Sequence, residues 1–299
     1  MSKQKIKNAM TVDVEDYFHV SALAASIDRA DWDSIPSRVE NNTRRLLSLF
    51  DETGIKSTFF VLGWVAERFP ELVREIVAGG HELACHGFSH QLIYKQERDV
   101  FFEETRRAKE ILEEIGGVRV RGYRAASYSI TKQSLWALDM IGELGFDYDS
   151  SIVPARHDLY GINDAPSVPY EIRLQNSKCL SEFPPSTIAV PGGRLPIGGG
   201  GYFRIFPYWF SRWGMGRLNR QQQPFAFYLH PWEIDLEQPR VKTSMKSSFR
   251  HYHNLDKFEP RLRRLIGEFD FGTMAEVLDN LPKCEIESAT LAGAAGQAA

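Results

Sequence analysis

Two histidines, His86 and His90, lie four residues apart and could bind one metal ion together. If the backbone between them winds into a helical turn, both imidazoles face the same way. Two neutral imidazoles and one carboxylate leave open positions on an ion, which is typical of a catalytic rather than a structural site. The alternative is a pair of polar loop residues with unrelated roles, because this spacing alone is a weak motif.

Three carboxylates crowd four positions near the N-terminus, at Asp13, Glu15 and Asp16. Such a cluster beside an apolar strand is costly unless a cation or a hydrogen-bond donor compensates it. Side chains alternate along a strand, so Asp13 and Glu15 point the same way, and Asp16 joins them only after the strand ends or bulges. The cluster favours a metal site, and a solvated acidic loop is the alternative.

The elements that must position these groups are predicted from the alternation of short β-rich segments with segments of helical period. This pattern indicates repeated βα units and a parallel sheet. Strands are predicted at residues 9–14, 57–62, 82–85, 119–124, 146–149 and 225–230. Helices are predicted at residues 38–53, 64–78, 97–115, 133–144, 257–269 and 274–281. In a parallel barrel the functional side chains collect at the carboxyl ends of the strands, so the groups named above should meet there.

The domain organisation is predicted from the segments where this alternation of strands and helices stops. Residues 154–204 are rich in Pro and Gly and predict an elaborated loop region over the barrel mouth. We expect one domain over residues 1–285, closed by C-terminal helices, and a disordered Ala- and Gly-rich tail over residues 286–299.

Composition narrows the classes of protein to consider. The 299 residues are 43% hydrophobic and 25% charged with a formal net charge of -3, which gives no support for nucleic-acid binding. Three cysteines are too few for a disulfide scaffold and lack the paired spacing of a zinc ribbon. No apolar segment reaches the roughly 20 residues of a membrane span, and none near the N-terminus resembles a secretion signal. We therefore expect a cytoplasmic protein, and the sequence does not indicate its oligomeric state.

Four motifs occur in order along the chain: Thr11-Val12-Asp13, His86 with His90, Arg124, and Leu229-His230. Together they resemble the polysaccharide deacetylases, the NodB-like carbohydrate esterases. The resemblance implies an α/β fold, a distorted (β/α) barrel of about seven parallel strands. Residues 13–20, 198–204 and 230–235 further resemble the subgroup associated with exosortase and exopolysaccharide loci.

The resemblance implies a metal-dependent hydrolase that removes N-acetyl groups from an N-acetylated polysaccharide or its precursor, in exopolysaccharide biosynthesis. It implies one divalent ion, with zinc expected and cobalt, nickel or manganese as alternatives. Two rival functions are kept. One is hydrolysis of a cyclic amide or ureide, as in the allantoinase-like relatives of this barrel, and the other is a catalytically silent carbohydrate-binding barrel.

Roles for the proton-transfer residues are also implied by the resemblance. Asp13 is expected to act as the general base, kept ionised by Arg124, and His230 as the general acid. A carboxylate should support the cationic form of His230. Asp149 is the first candidate for that support and Asp147 the second.

The identity of the carboxylate ligand is less direct, because this chain departs from the family pattern. Many members have two adjacent aspartates where this sequence has Asp13-Val14. Relatives with an Asp-x-Asp opening favour Glu15 as the ligand, and Asp16 is the alternative.

Three residues at strand ends are candidates for substrate contact. Tyr128, Leu229 and Trp232 could form a small pocket for the acetyl methyl group, and the alternative is that they belong to the core. A backbone N–H near Tyr128 is expected to stabilise the oxyanion. Cys85 is predicted to be a small buried strand residue, and the role of His19 is left open.

Overall fold

The computed structural model describes residues 6–157 and 160–281, together with the backbone of residues 287–289. The strands are Lys7–Val14 (β1), Thr58–Val61 (β2), Glu82–Cys85 (β3), Gly122–Tyr123 (β4), Tyr148–Asp149 (β5), Tyr170–Arg173 (β6), Cys179–Glu182 (β7), Thr187–Val190 (β8), Gly193–Pro196 (β9), Ala226–Leu229 (β10), Asp270–Gly272 (β11) and Glu287–Ala289 (β12). The α-helices are Val39–Thr53 (α1), Gly63–Arg68 (α2), Pro70–Ala78 (α3), Arg98–Gly116 (α4), Trp136–Glu143 (α5), Gly200–Ile205 (α6), Tyr208–Arg220 (α7), Met245–Tyr252 (α8), Phe258–Glu268 (α9) and Met274–Asn280 (α10). Short 3-10 helices lie at Tyr17–His19, Arg29–Ser34, Ile93–Lys95, Ala126–Tyr128, Pro231–Ile234 and Leu255–Lys257.

Seven parallel strands form the main sheet in the order β10-β1-β2-β3-β4-β5-β7. This confirms the predicted α/β class with about seven parallel strands. Among the described residues, β10 and β7 share no ladder, so the ring of strands is not closed by strand pairing. Instead Gly199 pairs with Tyr228 of β10, and Ser186 Oγ accepts a hydrogen bond of 2.8 Å from the Ala226 N–H.

The central strand β1 is buried along almost its whole length, as expected for a parallel strand covered on both faces. All six predicted helices are found on the outside, whereas α6, α7 and α8 were not predicted. One difference is the predicted helix 64–78, which is divided into α2 and α3 between Phe69 and Pro70. Proline favours the first turn of a new helix because it has no N–H to donate to the preceding turn.

The predicted loop region over residues 154–204 is largely regular structure instead. It contains the antiparallel pair β6-β7, which extends the main sheet, the hairpin β8-β9, and most of α6. Pro191 and Gly192 form the two-residue turn between β8 and β9, where Gly192 has a φ of +86°. The Pro and Gly residues thus mark tight turns between four-residue strands, whose alternation is too short to stand out in the sequence.

The C-terminal tail was predicted to be disordered over residues 286–299. Within it, β12 pairs with β6, so the structure differs from that prediction at residues 287–289. The rest of that range lies outside the described residues. No helix in the described part of the chain is long and apolar enough to cross a bilayer.

Candidate metal and catalytic site

The carboxyl ends of β1, β3, β4 and β10 meet at one edge of the sheet, and the polar groups that follow them converge there. The side chains brought together are Asp13, Glu15, His86, His90, Arg124 and His230. All are buried except His230, whose side chain is 17% exposed. The parallel topology that the sequence predicts is what brings these groups together from distant parts of the chain.

Glu15, His86 and His90 form a cluster in which one ligand atom from each residue lies within 4.8 Å of the other two. Glu15 Oε2 lies 2.8 Å from His90 Nε2, yet among the described residues this buried oxygen has no hydrogen-bond partner. Two ligand atoms at this separation can share one cation. Two imidazoles and a carboxylate are donors that suit zinc and neighbouring transition metals.

His86 is prepared to act as a ligand through its other ring nitrogen. His86 Nδ1 lies 2.8 Å from the Arg124 carbonyl oxygen. A carbonyl can only accept, so Nδ1 carries the proton and Nε2 keeps its lone pair. Burial lowers the pKa of His86 to about 4, so the ring is neutral at physiological pH.

The backbone of His90 and the charge of Glu15 complete this cluster. His90 has a φ of +51°, a left-handed conformation that few non-glycine residues adopt and that often occurs at functional sites. Burial alone would raise the pKa of Glu15, but the neighbouring His90 and the cationic His230 hold it below its usual value. Glu15 therefore remains a carboxylate.

Asp16, the alternative ligand, is directed elsewhere. Its Oδ2 accepts hydrogen bonds from Ser37 Oγ at 2.6 Å and from the N–H groups of Arg38 at 2.7 Å and Val39 at 3.0 Å. Its Oδ1 accepts from the Tyr17 N–H at 2.9 Å. The carboxylate therefore organises the start of α1 and of the Tyr17–His19 turn, and the structure does not bring it to the histidines.

Asp13 makes a buried ion pair with Arg124, in which Oδ1 lies 2.6 Å from Nη1. The same guanidinium donates to Thr11 Oγ1 at 2.9 Å, to the Ser150 carbonyl at 3.2 Å and to Ser150 Oγ at 3.0 Å. These bonds fix the plane of the guanidinium and, through it, the carboxylate. Asp13 Oδ2 faces the open side of the cluster, 3.9 Å from His230 Nε2.

His230 is held between carboxylates on both ring nitrogens. His230 Nδ1 lies 3.3 Å from Glu233 Oε2, and Nε2 lies 3.2 Å from Glu15 Oε1. Burial opposes ionisation of the ring, but the hydrogen bond that Nδ1 donates to Glu233 and the charges of Glu15 and Asp13 outweigh it and raise the pKa of His230 to about 9. The imidazole is therefore cationic at neutral pH.

Glu233, which sequence analysis did not assign, takes the supporting role expected of Asp149. Its Oε1 accepts from Arg204 Nε at 2.9 Å, and Arg204 is itself buried and donates to the carbonyls of residues 250, 251 and 253. The feature of the sequence that could have identified Glu233 is its position three residues after His230. Glu233 Oε2 also accepts from the His230 N–H at 3.1 Å, which is the capping-box arrangement of the Pro231–Ile234 turn.

Asp149 does not contact His230. Asp149 Oδ1 accepts from Ser151 Oγ at 2.6 Å, whereas its buried Oδ2, like Oε2 of Glu182, has no hydrogen-bond partner among the described residues. Burial raises the pKa of Asp149 to about 6 and the pKa of Glu182 above its usual value, so the two groups share a proton. Asp147, the second candidate, pairs with Arg121 at 2.8 Å at the other end of β5.

Tyr128 lies at the mouth of the site, where its ring packs 4.9 Å from Tyr228 and 6.0 Å from Tyr160. Its own N–H donates to the Ala125 carbonyl at 3.0 Å. That amide is therefore already engaged, so the oxyanion donor expected near Tyr128 would have to be another N–H of this turn. Tyr128 and Ser127 both have positive φ, of 56° and 50°, so the backbone turns sharply here.

Leu229 and Trp232 belong to the packed interior. Leu229 is completely buried within the main hydrophobic core. The Trp232 ring stacks between His230, at 5.1 Å, and His251, at 4.2 Å, with interplanar angles of 20° in both cases. Trp232 thus fixes the plane of the His230 ring from one side.

A cleft of about 540 Å³ opens beside His90 and is lined by His19, Arg29, Trp32 and Lys95, among others. His19 Nδ1 accepts from the Asp16 N–H at 2.9 Å, which places the ring proton on Nε2. This buried Nε2 has no hydrogen-bond partner among the described residues. The cleft gives the candidate site an approach from the surface.

Two segments of the chain match protein-family models. Residues 30–147 match the polysaccharide deacetylase model, and residues 150–279 match a domain of unknown function, DUF3473. The two histidines of the cluster lie in the first segment, whereas His230 and Glu233 lie in the second.

Sequence relatives cover a smaller part of the chain. It is 31% identical over 98 residues to a peptidoglycan-N-acetylglucosamine deacetylase of Bacillus cereus, covering 32% of this chain and 36% of that protein. It is 31% identical over 113 residues to a peptidoglycan deacetylase of Helicobacter pylori, covering 36% of each. The aligned segments thus span about a third of each relative.

A solved structure shares the fold over nearly the whole chain. A Mycobacterium smegmatis protein assigned as a polysaccharide deacetylase superposes with a TM-score of 0.62 at 19% identity. The superposition covers 97% of this chain and 96% of that one.

The contact between Gly200 and Glu233 gives a first prediction. A Cβ on Gly200 would lie 1.9 Å from Glu233 Oε2, whereas a Cβ on Gly201 would come no closer than 4.0 Å to Arg204 Nη2. Gly200→Ala must displace the carboxylate and should lower the pKa of His230, and Gly201→Ala should leave it unchanged. NMR titration of the imidazole in metal-free protein measures both, and equal pKa values in the two variants would contradict the assignment of Glu233.

The shared proton of Asp149 and Glu182 gives a second prediction. Their pKa values are raised in the folded state, so this pair stabilises the fold below about pH 4, and that contribution is lost as pH rises through about 6. Glu182→Gln supplies an amide donor to an ionised Asp149 and should gain stability relative to the wild type between pH 5 and 7.5, at about 1.4 kcal/mol per unit of pKa shift removed. Urea unfolding at several pH values tests this, and parallel curves for the two proteins would show that no proton is shared.

Proposed function

We propose that this chain, whose residues 30–147 match the polysaccharide deacetylase model, is a metal-dependent hydrolase removing N-acetyl groups from an N-acetylated polysaccharide or its precursor. The observation that carries the proposal is the buried Glu15, His86 and His90 cluster, with Asp13 and His230 adjoining it. Two relatives, each aligned over about a third of this chain, are named peptidoglycan deacetylases, which supports a glycan N-acetyl substrate.

We propose that one divalent cation, zinc in preference to cobalt, nickel or manganese, is held by the Glu15 carboxylate and by Nε2 of His86 and His90. When bound, such an ion supplies positive charge that polarises an amide carbonyl and lowers the pKa of water. Three protein donors leave positions open for substrate and water. The carbonyl of Arg124 holds the His86 ring in the tautomer that this role needs.

Asp13 is proposed to take the proton of the attacking water. Its Oδ1 is held by Arg124 at 2.6 Å, and its Oδ2 is free to accept. The buried guanidinium keeps the carboxylate ionised and correctly oriented, which a general base requires.

His230 is proposed to give the Nε2 proton to the leaving amine. Its Nε2 lies 3.9 Å from Asp13 Oδ2, so the base and the acid face the same space. Glu233 on Nδ1 keeps the ring cationic and oriented, and the stacked Trp232 limits its rotation. Proton donation to the amine prevents collapse of the tetrahedral intermediate back to the amide.

A place in exopolysaccharide biosynthesis is also proposed. It is supported by the sequence resemblance of residues 198–204 and 230–235 to the exopolysaccharide-associated subgroup. These two stretches contain Arg204, His230 and Glu233, so the subgroup motifs coincide with the residues that support the acid.

The metal assignment is tested by pairing Glu15 with its neighbour Asp16. Glu15→Gln and His86→Ala should each remove most of the bound metal and of the acetate release from N-acetylated oligosaccharides. Asp16→Asn should keep the metal, although it should lower stability by about 1 kcal/mol through weaker capping. Elemental analysis and acetate release on one set of proteins measure both effects. Greater metal loss in Asp16→Asn than in Glu15→Gln would move the ligand role to Asp16.

The roles of Asp13 and His230 are tested by variants that should keep the metal. Asp13→Asn and His230→Ala should each lower kcat by about 10²–10⁴-fold, the usual contribution of general acid–base catalysis. Asp147→Asn, the same change at the far end of β5, is the matched control and should be fully active. Loss of metal in Asp13→Asn would make Asp13 a ligand. Turnover of a cyclic ureide without acetate release from any glycan would replace the proposed reaction.

A further inference from the structure

Exposed apolar side chains are concentrated on one part of the surface. Of the eight large hydrophobic residues that are exposed in the described part of the chain, five lie on α6 to α8. These five, called here the apolar face, are Ile205, Trp209, Trp213, Met245 and Phe249. Trp209 is 68% exposed and Met245 is 90% exposed, although both side chains are costly to leave in water.

The end of α6 contacts both other helices of this face. Phe206, which follows α6, packs 5.2 Å from Phe210 of α7, and Phe210 packs 5.6 Å from Trp213. Arg204, in the last turn of α6, donates to the carbonyls of Arg250, His251 and His253 at the end of α8. Asn254 Nδ2 returns a hydrogen bond to the Arg204 carbonyl at 2.9 Å. Ile205 and Phe249 are next to these bonded residues in sequence, so the two helices present their apolar side chains from adjoining positions.

Acidic residues are missing from the segments that form this face. Residues 183–232 and 238–255 contain no Asp or Glu, although the whole chain carries 39 acids and a formal charge of -3. The same segments contain nine arginines and lysines, of which six are exposed (Arg212, Arg220, Arg240, Lys242, Lys246 and Arg250), whereas Arg204 is buried. Glu268 of α9 reaches α7, but Arg212 at 2.6 Å and Arg264 at 3.0 Å neutralise it. The surface is therefore both apolar and basic.

We propose that the apolar face docks on an anionic phospholipid membrane surface. Tryptophan prefers the interfacial region of a bilayer, and arginines and lysines are attracted to its negative charge. A sugar platform explains the surface less well, because Ile205 and Met245 have no ring on which a sugar can stack. The missing carboxylates remove repulsion from anionic lipid.

The face is continuous with the mouth of the catalytic site. The Phe206 ring stacks 6.0 Å from Tyr202, and Tyr202 Oη lies 3.2 Å from Tyr160 Oη. Tyr160 in turn packs 6.0 Å from Tyr128. Docking would hold the site beside the headgroups, within reach of a glycan carried on a lipid. The docking itself does not depend on the proposed reaction.

Sedimentation of the full chain with vesicles tests the proposal without any substrate. Vesicles of phosphatidylcholine with phosphatidylglycerol should bind the protein, pure phosphatidylcholine should bind it weakly, and high salt should release it. The double variant Trp209→Ser with Trp213→Ser should weaken partitioning by at least about tenfold. Val100→Ser with Val118→Ser, which removes two exposed apolar side chains elsewhere on the surface, is the control and should bind as the wild type.

The charge requirement is tested with reversals on and off the face. Lys242→Glu with Arg250→Glu should weaken binding by about fivefold or more per charge, and Lys178→Glu with Lys132→Glu should not. Failure to bind anionic vesicles, or equal loss in test and control variants, overturns the proposal. So does sedimentation equilibrium showing a dimer that only the Trp209 and Trp213 variant dissociates, with vesicle binding unchanged. Displacement of the protein from vesicles by a soluble neutral oligosaccharide would assign the face to glycan instead.

Discussion

Burial of charge is the constraint on which this structure depends, and the ion pair between Arg124 and Asp13 is its centre. Both side chains are almost completely removed from water, so each charge depends on the other for compensation. Loss of one partner from such a pair commonly costs about 3–5 kcal/mol, because the remaining charge is left uncompensated. The other buried carboxylates are also compensated by neighbouring groups. Glu15 faces two histidines, and Glu233 faces both His230 and Arg204. Each of these buried charged side chains is thus oriented by a neighbouring one.

These linked charged residues include members of both of the segments that match family models. Arg124 comes from the segment that matches the polysaccharide deacetylase model, and Arg204 comes from the DUF3473 segment. Arg124 orients the proposed base, and Arg204 orients the proposed acid through Glu233. A site that needs both arginines is complete only when both segments are folded together. The main sheet enforces this, because β10 from the second segment pairs with β1.

The sequence predicted the parts of the site that depend on strand order. The strands ending near Asp13, His86, Arg124 and His230 are each recognisable from short apolar runs, and a parallel sheet then brings their ends together. The carboxylate that supports His230 could not be predicted from strand order. Asp149 lies at the same edge of the sheet as His230, but whether its side chain points to His230 depends on the local turn. The neighbouring Glu182 and Ser151 hold it, while the three-residue spacing to Glu233 reaches the ring directly. The hairpins within residues 154–204 were missed for a related reason, since four-residue strands carry too little alternation to be distinguished from loops.

The charge on the pair of Asp149 and Glu182 affects the ion pair between Arg124 and Asp13. Arg124 donates to Ser150, the residue next to Asp149, so two ionised carboxylates at this position would compete with Asp13 for the guanidinium. Because Asp149 and Glu182 share a proton, they present less negative charge to Arg124. Ser150 Oγ also passes its own hydrogen to the Phe183 carbonyl, at 2.8 Å, and so accepts from Arg124 without adding charge. The side of the guanidinium away from the site is thereby satisfied mainly by neutral acceptors. Its positive charge is left to act on Asp13, which is the condition for a base that stays ionised inside the protein.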